Sequence, residues 1–308
     1  MRDHFINKII ELVPKYPNLI LITGDLGFGV LDQFRSLYPD NFINAGVAEQ
    51  NMTGIAAGMA LEGKIVLTYS IANFSTLRCL EQIRNDVCYH NANVKIISVG
   101  GGFSYGALGM SHHATEDLSI MRSIPQLSLL SPSTLLEAEM SAKIVLENKG
   151  PFYLRLDKSS GRDAEKSESK LLLEYGKCRQ LSSGTDFSIF VTGGILEEVW
   201  SAKGILKKLG YNIRIITVPW LNPFDPDLLI KAINETNGIM TIEENVLNGG
   251  LGGLISEILM DKGLSPKFFF RMGLKSKFSS IVGSQKYLRE FHGLNSKSIV
   301  RNILKFLK

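Results

Sequence analysis

The chain has 308 residues, 44% hydrophobic and 21% charged, more than one compact core usually takes and enough for one large or two medium domains. Its net charge of +4 comes from 34 Lys and Arg against 30 Asp and Glu, scattered singly or in pairs, which argues against a dedicated nucleic-acid surface while leaving room for a mildly basic cleft. Three cysteines (Cys79, Cys88, Cys178) cannot all pair and lack metal-ligand spacing, no apolar run approaches the ~18–20 residues of a membrane span, and the start lacks the apolar stretch of a signal peptide, so a reduced, cytoplasmic setting is expected.

Short β-branched runs alternate with longer segments of helical period, the pattern of parallel sheets with helices on both faces. In the first half the strands are expected at 19–23, 42–44, 64–69, 94–99, 126–130 and 151–156, and the helices at 2–13, 49–61, 75–91, 115–124 and 134–148. The last helix opens with Thr134 and Glu137 at capping-box spacing, just after Pro132. From 157 to 170 the apolar pattern lapses into a polar connector, which places the domain boundary there. It resumes with strands at 187–192, 213–218, 238–242 and 268–272, helices at 196–209, 226–235 and 251–262, and a helical pair after Ser284. The fold class read from this order is α/β: two doubly wound, mainly parallel-sheet domains at 1–160 and 185–308, joined by a linker at 161–184.

Glycines gather after the expected strands, at Gly24 and Gly27, Gly100-Gly101-Gly102, Gly193-Gly194 and Gly249-Gly250. That edge is where open α/β sheets bind ligands, although each turn can equally be one that needs a positive φ. The first strand–helix turn has no Gly-x-Gly-x-x-Gly, and no Walker-type Gly-Lys-Ser/Thr occurs, which disfavours a self-sufficient dinucleotide or nucleotide-triphosphate enzyme. The unusual segment is the run from Ile43 to Leu61, where a strand and a glycine turn lead into a helix with Glu49 in its first turn and no charge from Gln50 to Leu61. A helix apolar all round is buried, so Glu49 is expected to head a buried helix, a setting in which a carboxyl can share a proton with a ligand. The competing reading is an ordinary acid favoured by the helix dipole by ~0.3–1 kcal/mol.

The run Gly46-Val47-Ala48-Glu49-Gln50-Asn51-Met52, followed by Gly58-Met59-Ala60-Leu61-Glu62-Gly63, resembles the pyrimidine-binding domain of transketolase-type thiamine diphosphate enzymes. The resemblance implies that Glu49 bonds N1′ of the cofactor's aminopyrimidine, making the exocyclic nitrogen basic enough to take the proton from the thiazolium C2. It puts an aromatic ring against the aminopyrimidine, with Tyr69 the first candidate and Phe74 the second, and adds Asp25 of the Gly24-Asp25-Leu26-Gly27 element to the cofactor-binding set. Ser111-His112-His113 through Leu118, with Arg122-Ser123-Ile124-Pro125, resembles the substrate-loop histidine motif. Accordingly His112 is implied as a catalytic and substrate-binding residue and His113 as a substrate contact. Arg155 falls where transketolases keep an arginine for the substrate phosphate, an ion pair at a strand end being the competing reading. Val191 to Gly194, Pro219 to Asp225 and Thr241 to Gly253 resemble the family's C-terminal domain, in which Glu243 and Glu244 are expected to make structural bonds.

Two departures matter. Full-length members bind the diphosphate through Mg²⁺ on a Gly-Asp-Gly motif, which this chain lacks. The resemblance therefore implies no metal ligands here, a partner subunit that carries the diphosphate- and Mg²⁺-binding domain, and a heterotetramer of two and two. Where transketolases keep an acid before the substrate-loop histidine there is Gly106-Ala107-Leu108-Gly109-Met110, and a second histidine is replaced by Gly100, which points to a deoxy or otherwise modified ketose or to a different acceptor. Transfer of a two-carbon ketol unit between sugar phosphates is the expected function. The alternatives are a 1-deoxyxylulose-5-phosphate synthase-like enzyme, the β subunit of a 2-oxo acid dehydrogenase, and a non-catalytic regulatory or scaffold homologue.

Overall fold

The computed structural model describes residues 1–158 and 172–307. Helix α1 (Arg2–Leu12) leads into β1 (Leu19–Thr23), an apolar run buried at every position, as a parallel strand covered on both faces must be. There follow α2 (Asp32–Leu37), β2 (Phe42–Asn44), α3 (Glu49–Leu61), β3 (Ile65–Ile71), α4 (Ala72–Thr76) and α5 (Leu80–Gln82), which runs into a π-helical turn at Ile83–Cys88. Next come β4 (Val94–Val99), α6 (Asp117–Arg122), β5 (Ser128–Leu130), α7 (Leu135–Glu147) and β6 (Phe152–Leu156). The second half contains β7 (Arg179–Ser182), β8 (Phe187–Val191), α8 (Leu196–Lys208), β9 (Ile213–Thr217), β10 (Trp220–Asn222), α9 (Asp227–Glu235), β11 (Ile239–Val246), α10 (Leu251–Asp261), β12 (Phe269–Leu274), α11 (Gln285–Phe291) and α12 (Ser296–Leu307).

These strands form two sheets, ordered β10-β5-β6-β4-β3-β1-β2 and β12-β11-β8-β9-β7, parallel throughout except for the edge strands β10 and β7. The two-sheet α/β fold is the one expected; the division between its halves differs. Most of the connector expected at 157–170 lies outside the described residues. Residues 179–182, assigned to the linker, form β7 of the second sheet, and Trp220–Asn222, from the C-terminal half, pairs antiparallel with β5 of the first. Trp220 is fully buried there beside Tyr175 and Phe152.

The core also ignores the boundary: Leu118 and Met121 of α6 share one apolar cluster with Phe190, Ile216, Leu251 and Ile255 of the second unit. Around it lie buried charges that are paired, as burial requires. Arg179 bonds Glu137 at 2.7 Å, while Glu137 also accepts from Thr217 and from the Ser133 N–H. The Thr134 hydroxyl accepts the Glu137 N–H at 3.0 Å, giving half of the expected capping box. At the surface, Arg122 reaches the exposed Glu257 through a two-point bridge, 2.7 Å at each oxygen. Glu243 accepts the Leu251 and Gly252 N–H groups at the start of α10, and Glu244 accepts from the Phe103 N–H, Gln285 and Arg289, so both acids make the structural bonds expected of them.

Two helices depart from expectation. Helix α3 is not buried all round: Met52, Ala56, Ala57 and Ala60 pack on the sheet, while Gln50, Asn51, Gly58 and Leu61 face solvent on an uncharged surface. The helix expected at 75–91 is interrupted by a turn at 77–79. The Ser75 and Thr76 hydroxyls bond back to the Ile71 and Ala72 carbonyls just before the break, a pattern that bends helices.

Candidate active site

The sheet gathers the candidate residues at the carboxyl ends of neighbouring strands. Gly24 and Asp25 follow β1, Glu49 follows β2, Phe74 and Arg78 follow β3, and the segment from Gly100 to His113 follows β4. In open parallel sheets this edge is where ligands bind.

Glu49 is the first residue of α3 and only 4% exposed. It lies beneath an open depression of ≈ 420 Å³ lined by Val47, Ala48, Glu49, Gln50, Asn51 and Arg78. The Arg78 Nη1 donates to both Glu49 oxygens, at 3.2 and 3.1 Å, and its guanidinium stands 4.2 Å from the centroid of the Phe74 ring. Phe74 meets the His112 ring edge-on, 5.0 Å between centroids. His112 in turn bonds the Ser111 hydroxyl through Nδ1 at 3.0 Å, and Asn73 holds the Ser111 carbonyl at 2.7 Å. Burial, then the Arg78 charge, then His113 lower the His112 imidazole below its ordinary 6.5, favouring the neutral ring near pH 7.

Of the residues expected at the site, Glu49, Phe74 and His112 converge, while Tyr69, His113 and Arg155 do not. Strand β3 continues to Ile71, two residues past its expected end, so Tyr69 stays within the sheet, 2% exposed in the apolar core, and burial pushes its phenol up. His113 turns inward, bonding the Gly106 carbonyl at 3.2 Å and packing edge-on against Phe103. Arg155 is 2% exposed and consumed internally, by Asp117 at 3.2 Å, Asp157 at 3.4 Å and the Glu244 carbonyl at 3.1 Å. Arg155 thus makes the ion pairs of the competing reading. Asp25 is exposed at the rim, with φ 57° and a two-way bond to Asn44; it neighbours Gly24, which packs on the Glu49 side chain.

Two contributors were missed in the sequence. Arg78 is the first charge after Lys64, a signal hidden by its place inside an expected helix. Tyr105 is the other: its ring fills the space above Gly100, where a Cβ would come within 2.1 Å of it, and lies 6.3 Å from His112. The Lys158 ammonium stands 4.1 Å from the Tyr105 ring centroid. Glycines at 101 and 102 serve the fold, since Cβ atoms there would strike Arg155 and Glu244.

A buried carboxylate and a phenyl ring facing one flat group suit a nitrogen-bearing ring that donates to the acid and stacks on the phenyl. The planar Arg78 cation already makes both contacts. Among the described residues no group of three or more His, Cys, Asp or Glu could hold a metal ion, and no helix is long and apolar enough to cross a membrane.

Comparison with known proteins agrees with this architecture. The family description "Transketolase, pyrimidine binding domain" matches residues 1–163 and "Transketolase, C-terminal domain" matches 176–299. The chain belongs to the transketolase family, whose members use thiamine diphosphate, and it comprises these two of the family's domains. A transketolase C-terminal section of Methanocaldococcus jannaschii is 35% identical over 309 residues, covering 100% of this chain and 96% of that one. An apulose-4-phosphate transketolase subunit of Actinobacillus succinogenes is 30% identical over 303 residues, covering 97% and 94%. A solved split-gene transketolase, described as an inactive β4 tetramer, superposes with a TM-score of 0.87 at 30% identity, covering 99% of this chain and 97% of that one.

Proposed function

We propose that this chain is the pyrimidine-binding subunit of a two-component transketolase that moves a two-carbon ketol unit between sugar phosphates. The observation that carries the proposal is Glu49, buried at the head of α3 beneath an open depression and linked through Arg78 to Phe74 and His112. When bound, thiamine diphosphate supplies a carbon nucleophile and electron sink. Glu49 holds a proton at the pyrimidine nitrogen, Phe74 stacks on the ring, and His112, neutral near pH 7, bonds the substrate at the adjoining edge. Asp25, exposed beside Gly24, lines a neighbouring depression with Asn44 and Phe28, so a cofactor contact there lies outside the Glu49 depression itself.

The partner supplies the diphosphate and Mg²⁺ ligands and covers the uncharged outer face of α3, completing a heterotetramer of two and two. The exposed apolar side chains of Phe28, Val47 and Leu77 at this edge support such a cover. The absence of an acid between Gly106 and Met110, and the Tyr105 ring over Gly100, favour a modified ketose, as the name of the A. succinogenes relative also suggests.

The test is reconstitution: the chain purified with its partner, thiamine diphosphate and Mg²⁺ is expected to transfer a ketol unit between sugar phosphates, and each component alone is expected to be inactive. Consumption of pyruvate with release of CO₂, and no ketol transfer, would overturn the proposal in favour of a synthase- or dehydrogenase-like activity.

A further inference from the structure

We infer that Arg78 is an internal stand-in for the ring Glu49 binds, its guanidinium occupying the aminopyrimidine's place until the ligand displaces it. This rests on the assignment of Glu49 above and deepens it. The guanidinium makes the two contacts that define the site, both Glu49 oxygens on one side and the Phe74 ring on the other. It belongs to the lining of the depression that the ligand must enter. A guanidinium and a protonated aminopyrimidine share the features these contacts read: both are flat, delocalised cations with an N–H edge for a carboxylate and a π face for a phenyl ring.

The arrangement is also built to release. The Arg78 side chain is 52% exposed while that of Glu49 is 4%, so the plug is held from the solvent side, where ion pairs are weak. Arg78 lies in the turn at 77–79 between α4 and α5, free of a continuous helical ladder. When Arg78 leaves, Glu49 becomes a buried carboxylate without its cation, which a ring nitrogen carrying a proton satisfies. The free subunit thereby keeps its buried acid paired before assembly, and loading the site is a competition between two cations for one carboxylate.

The test is calorimetric titration of the full-length chain with 4-amino-2-methylpyrimidine, and of its complex with the partner with thiamine diphosphate and Mg²⁺. Arg78→Gln and Arg78→Ala are each expected to bind both ligands about three- to tenfold more tightly than wild type, the range set by a half-exposed ion pair and a cation–π contact. Both variants are expected to lower the unfolding midpoint of the free chain, because Glu49 is left buried without its cation, and bound ligand is expected to restore it. Binding equal to or weaker than wild type in both variants would overturn the inference and make Arg78 a support for Glu49. In parallel, Glu49→Gln is expected to weaken both ligands; unchanged binding in that variant would overturn the Glu49 assignment itself, and this inference with it.

Discussion

Arg155 lies within β6 near its end and Arg78 follows β3, yet their surroundings give them opposite duties. Arg155 is enclosed with Asp117 and Asp157, and its removal leaves two buried carboxylates without their cation. Arg155→Ala is therefore expected to cost about 3–5 kcal/mol of stability, read as a lowered urea midpoint. Unchanged stability with a raised KM for a phosphorylated substrate would instead return Arg155 to the substrate. At this scale the convergence of Glu49 and His112 on Phe74 and Arg78 was legible from the charge-free helix and the loop that carry them. Expectation and placement part where one residue of backbone direction decides the matter. Tyr69 and Phe74 are five positions apart, but the end of β3 at Ile71 leaves the first inside the sheet and the second on the helix beyond it. His112 and His113 are adjacent, and only the first faces Phe74 and Tyr105.

Among the elements, α10 carries a measurable pH signature. Glu243 is buried beneath the first turn of α10; burial pushes its carboxyl from the ordinary 4.5 up to about 7, against the lowering effect of the Gly252 and Leu251 N–H bonds. Because the folded value is the higher one, the unfolded chain ionises first. The stability is fully present below about pH 4.5 and is lost as the pH rises through 7, a change of about 3 kcal/mol. Glu243→Gln is expected to flatten the fall in unfolding free energy between about pH 5 and pH 8 compared with wild type; parallel profiles would contradict the assignment. The long strands and helices were legible because their apolar period is local. Strands β7 and β10 were not, being three or four residues long and specified by non-local pairing, β7 on β9 and β10 on β5. Helix α3 read as buried because its composition is that of a buried helix; in this chain one uncharged face is open to solvent.

For the whole molecule, the sequence distinguished two domains but not their interlocking. Strand β10 is lent to the first sheet, the core runs through both units, and Glu244 and Arg155 tie the Gly100–Gly102 turn to the second unit. This interlocked body brings Glu49, Phe74 and His112 to one edge, the arrangement on which the proposed function rests. The most direct measurement of that central claim is the exchange rate of the thiazolium C2 proton of thiamine diphosphate in the complex with the partner, wild type against Glu49→Gln, at saturating cofactor. A proton relay through Glu49 predicts a fall of roughly 10²–10⁴-fold in the variant. Exchange at the wild-type rate in Glu49→Gln would contradict it.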